Sequence, residues 1–300
     1  MRLATSLNVL FDPKRVTPEM AIERLAKAGF EALDFNFCDW LFDGSPFTGN
    51  EWAKWIDGIG RKAKSVGIPI TQSHGPIFNK FADDERTRWL THMSHRSIEA
   101  AGMLGAQWIV FEPETISGAF DEAHIAYLRQ RNLDWFAELL KTAEKAGVGI
   151  ALENNADAFL RRERKIRRHY CSVPAELIDL VDAFNHPLIG ICWDTGHANI
   201  QQLDQPAALR AIGKRLKALH IQDNDGLHDQ HVLPFFGTID WRPIVDALRE
   251  IEYEGDFTYE VHNSVRPLPD ELRDAALKLA VSIGRYLLNE RNDEFKPNAR

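Results

Sequence analysis

Acidic and histidine side chains recur in this sequence at the points where short apolar runs end. Six such runs are followed in turn by one of these residues: His74, Glu112, Glu153, Asp194, His220 and Glu260. Carboxylates rarely lie side by side in a protein interior, because each raises the pKa of the other. A divalent cation removes that repulsion, and three carboxylates with one imidazole suit Mn²⁺, Mg²⁺ or Co²⁺ and tolerate Zn²⁺. The pattern predicts a metal site.

The segments that carry these residues alternate between apolar runs and amphipathic helical patterns. We predict strands at 3–8, 32–36, 68–74, 108–112, 149–153, 188–194, 216–221 and 257–260. A first helix is expected from the Thr17-Pro18 start signal to Gly29. Further helices are predicted at 52–66, 85–104, 128–146, 175–184, 207–215, 244–250 and 271–288. A left-handed cap favours glycine just past a helix, which we expect at Gly29, Gly67, Gly105, Gly147 and Gly255.

Eight strand–helix units in about 290 residues predict one closed (β/α)8 TIM barrel. The barrel is expected to use the whole chain, 1–300, with a C-terminal tail at about 290–300. A doubly wound open sheet is the alternative, but it usually carries a glycine-rich phosphate turn after its first strand, and none follows 3–8. The carboxyl ends of barrel strands share one rim, so the acidic and histidine residues should meet there.

The composition indicates which partners and which cellular location to expect. Lys and Arg number 36 against 44 Asp and Glu, a formal net charge of −8, which argues against a nucleic-acid partner. No stretch approaches the roughly 20 apolar residues that span a bilayer, so no membrane association is expected. The start does not resemble a signal peptide, and the three cysteines lack metal-binding spacing. We therefore expect a cytoplasmic protein.

Two segments resemble a known family: Asp194-Thr-Gly-His197 and the downstream stretch "HDQHVLPFFGTIDW". Together with Glu153, His220 and Glu260 they resemble the xylose-isomerase-like barrel superfamily. That group includes the D-tagatose 3-epimerase-type ketose epimerases and other sugar phosphate isomerases and epimerases, inosose dehydratase, and endonuclease IV.

The resemblance implies a metal-dependent isomerase or epimerase of a sugar or sugar phosphate. It implies that Glu153, Asp194, His220 and Glu260 hold one divalent ion, Mn²⁺ before Mg²⁺, Co²⁺ or Zn²⁺. Glu153 and Glu260 would also be the catalytic acid and base, acting next to a carbonyl through a metal-stabilised enediolate. The substrate would be a small sugar or cyclitol, and a homo-oligomer is left open. The residues expected to contact substrate are His74, Glu112, His197, Asp229 and His231.

Other activities of the same superfamily stay open at this stage. Ketose epimerases carry an arginine six residues after the strand-7 histidine, where this chain has Gly226, so an inosose dehydratase-like lyase is one alternative. An endonuclease IV-like phosphodiesterase acting on abasic DNA is another, since His74, His197, Asp229 and His231 match parts of its larger metal set. The negative charge opposes this, and a non-catalytic scaffold would not be expected to keep the intact set of four ligands.

Two loops could also take part. The segment 161–169 has six Lys or Arg in eight positions and could clamp a phosphate or carboxylate, although a solvated or subunit-contacting loop is the preferred interpretation. The aromatic loop 37–44 could form a wall of the sugar pocket or pack in the core. We expect no nucleophilic role for Cys38 and leave His262 outside the site.

Overall fold

The computed structural model describes residues 1–160 and 165–289. The predicted tail at 290–300 and part of the basic loop, 161–164, lie outside these residues. In the described part, no helix is long and apolar enough to cross a bilayer.

Eight parallel strands form the barrel in chain order. They are β1 (Leu3–Ser6), β2 (Ala32–Asn36), β3 (Ile70–His74), β4 (Trp108–Phe111), β5 (Gly149–Glu153), β6 (Ile189–Asp194), β7 (Leu216–His220) and β8 (Phe257–Tyr259). The ladder runs from β8 through β1 to β7. The last seam is joined by Ile221 N–H, which donates to Thr258 O at 2.8 Å, and by Glu260 N–H, which donates to Ile221 O at 3.0 Å. The predicted (β/α)8 barrel is confirmed.

Helices pack around the strands and return the chain to the start of the next strand. They are α1 (Pro18–Ala28), α2 (Trp52–Ser65), α3 (Glu85–Leu104), α4 (Glu122–Ala146), α5 (Pro174–Phe184), α6 (Thr195–Ile200), α7 (Gln205–Ile212), α8 (Trp241–Glu250), α9 (His262–Val265) and α10 (Asp270–Leu288). Helix α4 begins earlier than the predicted 128, because the Asp121 side chain accepts the His124 N–H and caps it there.

Most of the predicted glycine caps have the expected left-handed backbone, with φ of 108° at Gly29 and 68° at Gly147. The prediction for Gly255 was wrong. Helix α8 ends at Glu250, and Glu252, with φ of 55°, takes the left-handed conformation and donates its N–H to Arg249 O at 2.9 Å. The chain has therefore already turned away from the helix before Gly255.

Several short elements had no clear sequence signal. Helices α6 and α9 are only six and four residues long, so they have too few turns to show an amphipathic period. A short antiparallel pair, Ala158–Leu160 with Lys165–Arg167, follows β5. All three elements lie after barrel strands, on the rim that carries the candidate site.

A small apolar floor lies inside the barrel under that rim. Val110, Ala151, Cys192 and Ala218 form a buried cluster, one residue from each of four neighbouring strands. Successive side chains of a strand point to opposite faces, so residues two apart share a face. Glu153, Asp194 and His220 are each two residues beyond a member of this cluster and therefore also point inward.

Aromatic residues of the loop 37–44 pack on neighbouring rings. Phe37 is fully buried and stacks on Phe47 at 4.9 Å between ring centroids, and Trp40 lies 4.9 Å from Trp55 of α2. These contacts favour the packing interpretation of the loop.

Candidate metal centre

The four predicted metal ligands come together at the carboxyl ends of the strands. Nδ1 of His220 lies 3.0 Å from Oε2 of Glu153 and 3.7 Å from Oε2 of Glu260. Asp194, His220 and Glu260 can each place one ligand atom within 4.8 Å of the other two. All four side chains are buried. Glu153, Asp194 and His220 are the last residues of β5, β6 and β7, and Glu260 follows β8, which explains their convergence.

Burial and neighbouring charges act on these carboxyl groups in opposite directions. Burial alone would raise the pKa of Glu153, but His220, His74 and His197 together lower it well below its ordinary value. Burial raises the pKa of Asp194 to about 6, with Glu153 and Asp229 adding to the increase and His197 opposing it. Histidines thus partly compensate the carboxylates of the centre.

Atoms of this centre still lack hydrogen-bond partners. Among the described residues, Oε2 of Glu153 and both ring nitrogens of His220 have none, since their short contacts lack hydrogen-bond geometry. Leaving buried polar atoms unpaired is costly, and a cation bound by them removes that cost. Three carboxylates and an imidazole nitrogen are also the donors that divalent Mn²⁺, Co²⁺ or Zn²⁺ accept. The residues therefore fit a divalent ion.

His197 lies beside the four ligands, at the start of α6. Its N–H donates to Oδ1 of Asp194 at 2.6 Å, and its Nδ1 lies 2.8 Å from the Asn154 carbonyl oxygen. The same Nδ1 is 3.4 Å from Oε1 of Glu153. Asn154 also accepts the Asp194 N–H at 2.7 Å, so it holds the ends of β5 and β6 together. Sequence reasoning did not select Asn154.

Asp229 and His231 reach the same rim from the loop after β7. Oδ2 of Asp229 lies 2.9 Å from Nε2 of His231 and 3.7 Å from Nε2 of His197. Burial would raise the pKa of Asp229, but these two histidines lower it. Burial would lower the pKa of His231, but Asp229 and Glu260 raise it to about 9. Asp229 therefore lies between two histidines, His231 of its own loop and His197 of α6.

Gln222 joins this loop to the candidate ligand Asp194 and explains the glycine of the Asp-Thr-Gly-His motif. Its Nε2 donates to Oδ1 of Asp229 at 2.6 Å and to Oδ1 of Asp194 at 3.3 Å. A Cβ added to Gly196 would lie 2.2 Å from the Gln222 side-chain amide carbon. The missing side chain of Gly196 leaves the room that Gln222 occupies.

Of the two remaining predicted residues, His74 contacts the centre and Glu112 lies at its border. Nε2 of His74 is 3.5 Å from Oε2 of Glu153, and its ring stacks on that of His220 at 5.4 Å. Glu112 belongs to none of the ligand groups among the described residues. Burial and then the charge of Glu153 raise the pKa of Glu112. It borders the centre without joining it.

Asp34 and His262 were not selected from the sequence although both contact this region. Asp34 is fully buried in β2, accepts from Nε2 of Gln72 at 2.7 Å and faces His220. The ring of His262 lies 4.5 Å from that of His231. An aspartate inside the apolar run "ALDFN" was the available signal for Asp34, since an acid there must have a partner.

The basic residues at the described end of the basic loop have different surroundings. Arg168 forms an ion pair with Glu176 and lies over the ring of Phe120, 4.6 Å from its centroid. These contacts support a structural role for this arginine. Arg167 and His169 instead line a cavity next to Glu112.

Comparison with known proteins identifies the family of this barrel. The family model described as xylose isomerase-like TIM barrel matches residues 22–280. The chain belongs to this family. It is 26% identical to the D-psicose 3-epimerase of Ruminiclostridium cellulolyticum over 80% of this chain and 76% of that protein. It is 22% identical to the 3-dehydro-D-guloside 4-epimerase of Escherichia coli over 73% of this chain and 82% of that protein.

The fold of this family member also matches a solved structure. The crystal structure of a D-tagatose 3-epimerase-like protein aligns with a TM-score of 0.73 at 22% sequence identity. The alignment covers 97% of this chain and 99% of the other. At this identity the likeness shows the fold alone.

Proposed function

We propose that the protein is a divalent-metal-dependent sugar epimerase or isomerase that moves a proton at a carbon next to a carbonyl. The observation that carries this proposal is the convergence of Glu153 and Glu260 on one nitrogen, Nδ1 of His220, at 3.0 and 3.7 Å. Two relatives named as epimerases, of D-psicose and of 3-dehydro-D-guloside, support it.

Glu153, Asp194, His220 and Glu260 would hold the ion. When bound, a divalent ion supplies positive charge against the substrate oxygen that becomes negative as the neighbouring carbon loses its proton. Moving a proton from one face of that carbon to the other needs two groups that can each accept and donate it. Glu153 and Glu260 are the carboxyl groups best placed for this task, because both are buried and reach the same point.

The surrounding residues would orient the substrate and the two carboxylates. Nδ2 of Asn36 lies 3.4 Å from Oε1 of Glu260, which leaves Oε2 directed toward His220 and His231. His197 and Asp229 present a donor and an acceptor beside the ligands, where hydroxyl groups of a sugar can bind. Gly226 occupies the position of the epimerase arginine and has no side chain to contact substrate, so other residues must select it.

Solvent-deuterium exchange tests this proposal. The Mn²⁺-loaded protein, incubated in D₂O with D-fructose, D-psicose and D-tagatose, should incorporate deuterium next to the carbonyl, as followed by NMR. Glu153→Gln and Glu260→Gln each remove one proton-transfer group, and the exchange rate should fall at least about 100-fold. Both variants keep the side-chain shape, so circular dichroism should show an intact fold.

Glu254→Gln is the matched control, because Glu254 is exposed and lies between α8 and β8, outside the site. Its exchange rate should equal that of the wild type. Undiminished exchange in Glu260→Gln would exclude the proposed acid–base pair. Loss of water from an inosose or cleavage of abasic DNA, without ketose exchange, would instead favour the lyase or the phosphodiesterase.

A further inference from the structure

A cavity of about 240 Å³ opens beside the metal centre, between the loops that follow β3, β4 and β5. Glu112 lines it and also borders the centre, so the two spaces adjoin. Its wall includes Phe78 and Lys80 from one loop and Arg167 and His169 from another. A substrate anchored at the metal centre could extend into this cavity.

Lys80 is a buried cation with few partners. It is 6% exposed, and its Nζ donates to one acceptor among the described residues, the Phe78 carbonyl oxygen, at the long distance of 3.5 Å. The rings of Phe78 and Trp135 lie 5.3 and 5.5 Å from the ammonium. Aromatic faces attract a cation, but they do not accept its three N–H bonds as an anion does. The ammonium therefore retains unused donors at the cavity.

Two acidic residues, Glu112 and Glu114, also line the cavity. Glu114 directs both oxygens to backbone donors: Oε2 accepts the Lys80 N–H at 2.9 Å, and Oε1 accepts the Thr115 N–H at 2.8 Å. Burial lowers the pKa of Lys80, while the charges of Glu112 and Glu114 oppose that decrease. Neither carboxylate forms an ion pair with Lys80 or with the exposed Arg167 among the described residues, so both cations can still bind an external anion.

We propose that this cavity binds an anionic group, a carboxylate or a phosphate, carried by the substrate at the end distant from its reacting carbon. Lys80 provides the buried ammonium, and Arg167 provides a planar guanidinium that can form two parallel hydrogen bonds to either anion. This inference rests on the proposed function, because it takes the neighbouring centre as the place where the sugar reacts. It makes Lys80 and Arg167 the residues that select acidic ketoses.

The experiment compares kcat/KM for deuterium exchange on three ketoses that differ in charge: D-fructose, D-fructose 6-phosphate and D-fructuronate. The Mn²⁺-loaded wild type should prefer one of the anionic ketoses to D-fructose by at least about tenfold, the factor that one charge-assisted hydrogen bond supplies. The identity of the preferred ketose separates a phosphate site from a carboxylate site. Lys80→Met and Arg167→Ala should each reduce this preference at least about fivefold, through a higher KM for the anionic ketose.

The matched control is Arg86→Ala, which removes an exposed arginine in the first turn of α3. It should keep the wild-type preference, whereas a merely structural role of Lys80 would alter kcat and thermal stability without a selective effect on anionic ketoses. Equal kcat/KM for neutral and anionic ketoses in the wild type overturns the inference while leaving the proposed function in place. An unchanged preference in both variants also overturns it.

A second measurement does not depend on turnover. Metal-free wild-type protein is titrated with inorganic phosphate and with glycolate by NMR, and saturable binding of one anion should weaken at least about fivefold in Lys80→Met. If an anion binds in this way but no ketose exchanges deuterium, the anion site is supported and only the proposed function is rejected. If no ketose exchanges and neither anion binds, both proposals are rejected.

Discussion

Oδ2 of Asp34 lies 3.5 Å from Nε2 of His220, while Nδ1 of the same ring faces Glu153 and Glu260. The aspartate is fully buried in β2 and is held by the amide of Gln72. A carboxylate beside one ring nitrogen favours the proton on that nitrogen and leaves the other nitrogen free to bind a metal. We therefore expect Asp34 to hold the proton on Nε2 of the proposed ligand His220 when Nδ1 binds a metal, which makes Asp34 a positioning residue.

Replacing Asp34 by Asn should weaken metal binding without removing any ligand. Loss of such a partner typically reduces metal affinity about 10- to 100-fold. Isothermal titration of the metal-free protein with Mn²⁺ measures this, and ¹⁵N shifts of His220 report which nitrogen carries the proton. Asp57→Asn, on the exposed face of α2, is the control and should bind like the wild type. Equal affinity of Asp34→Asn and wild type would contradict the positioning role.

Metal should stabilise the fold through the four proposed ligands. An ion present at 100 times its dissociation constant adds about 2.7 kcal/mol to the free energy of unfolding. Thermal unfolding in Mn²⁺ and in EDTA should therefore differ by a few degrees in the wild type, and by much less in Asp194→Asn. The asparagine can still cap α6 by accepting the His197 N–H, as Asp194 does at 2.6 Å.

The control for this experiment is Asp204→Asn, because Asp204 caps α7 in the same way and accepts the Ala207 N–H at 3.0 Å. It should respond to Mn²⁺ like the wild type. A full response in Asp194→Asn would show that this carboxylate is not a ligand.

Gly75→Ala should destabilise the barrel where β3 leads into the site. A Cβ at this position would lie 2.1 Å from the ring of Phe111, which is fully buried and cannot move freely. Overpacking of this kind costs about 1–3 kcal/mol of unfolding free energy. Urea unfolding measures it. Gly49→Ala is the control, because its nearest atom would lie at an ordinary 3.7 Å; equal stability of the two variants would contradict the close packing.

Stability should fall in alkaline solution because of Cys171. Burial, followed by the charges of Glu176 and Asp179, raises the pKa of this thiol well above its ordinary 9.0. Above about pH 9 the unfolded chain releases the proton while the folded protein keeps it, so unfolding becomes more favourable as pH rises. One such proton contributes a slope of about 1.4 kcal/mol per pH unit.

Urea unfolding between pH 8 and 10.5 measures that slope, and Cys171→Ala should reduce it. Cys38→Ala provides a comparison at a thiol whose pKa is raised less strongly. An unchanged slope in Cys171→Ala would show that the thiol ionises equally in both states.

The sequence by itself determined the barrel and the four residues that converge in it. Apolar runs separated by helical patterns specify parallel strands, and the ends of parallel strands share one rim. Glu153, Asp194 and His220 each close a strand, so their meeting follows from local pattern alone. Membership of the xylose isomerase-like family was likewise readable from Asp194-Thr-Gly-His197.

Only the tertiary structure decided which other side chains reach these four. Asp34 and Lys80 lie 186 and 140 residues from His220 along the chain. Their local sequence does not predict which residues they contact. Burial depends on which elements pack together, so it cannot be read from one segment. The same burial leaves the Lys80 ammonium with a single hydrogen-bond acceptor among the described residues and places the Asp34 carboxylate beside His220.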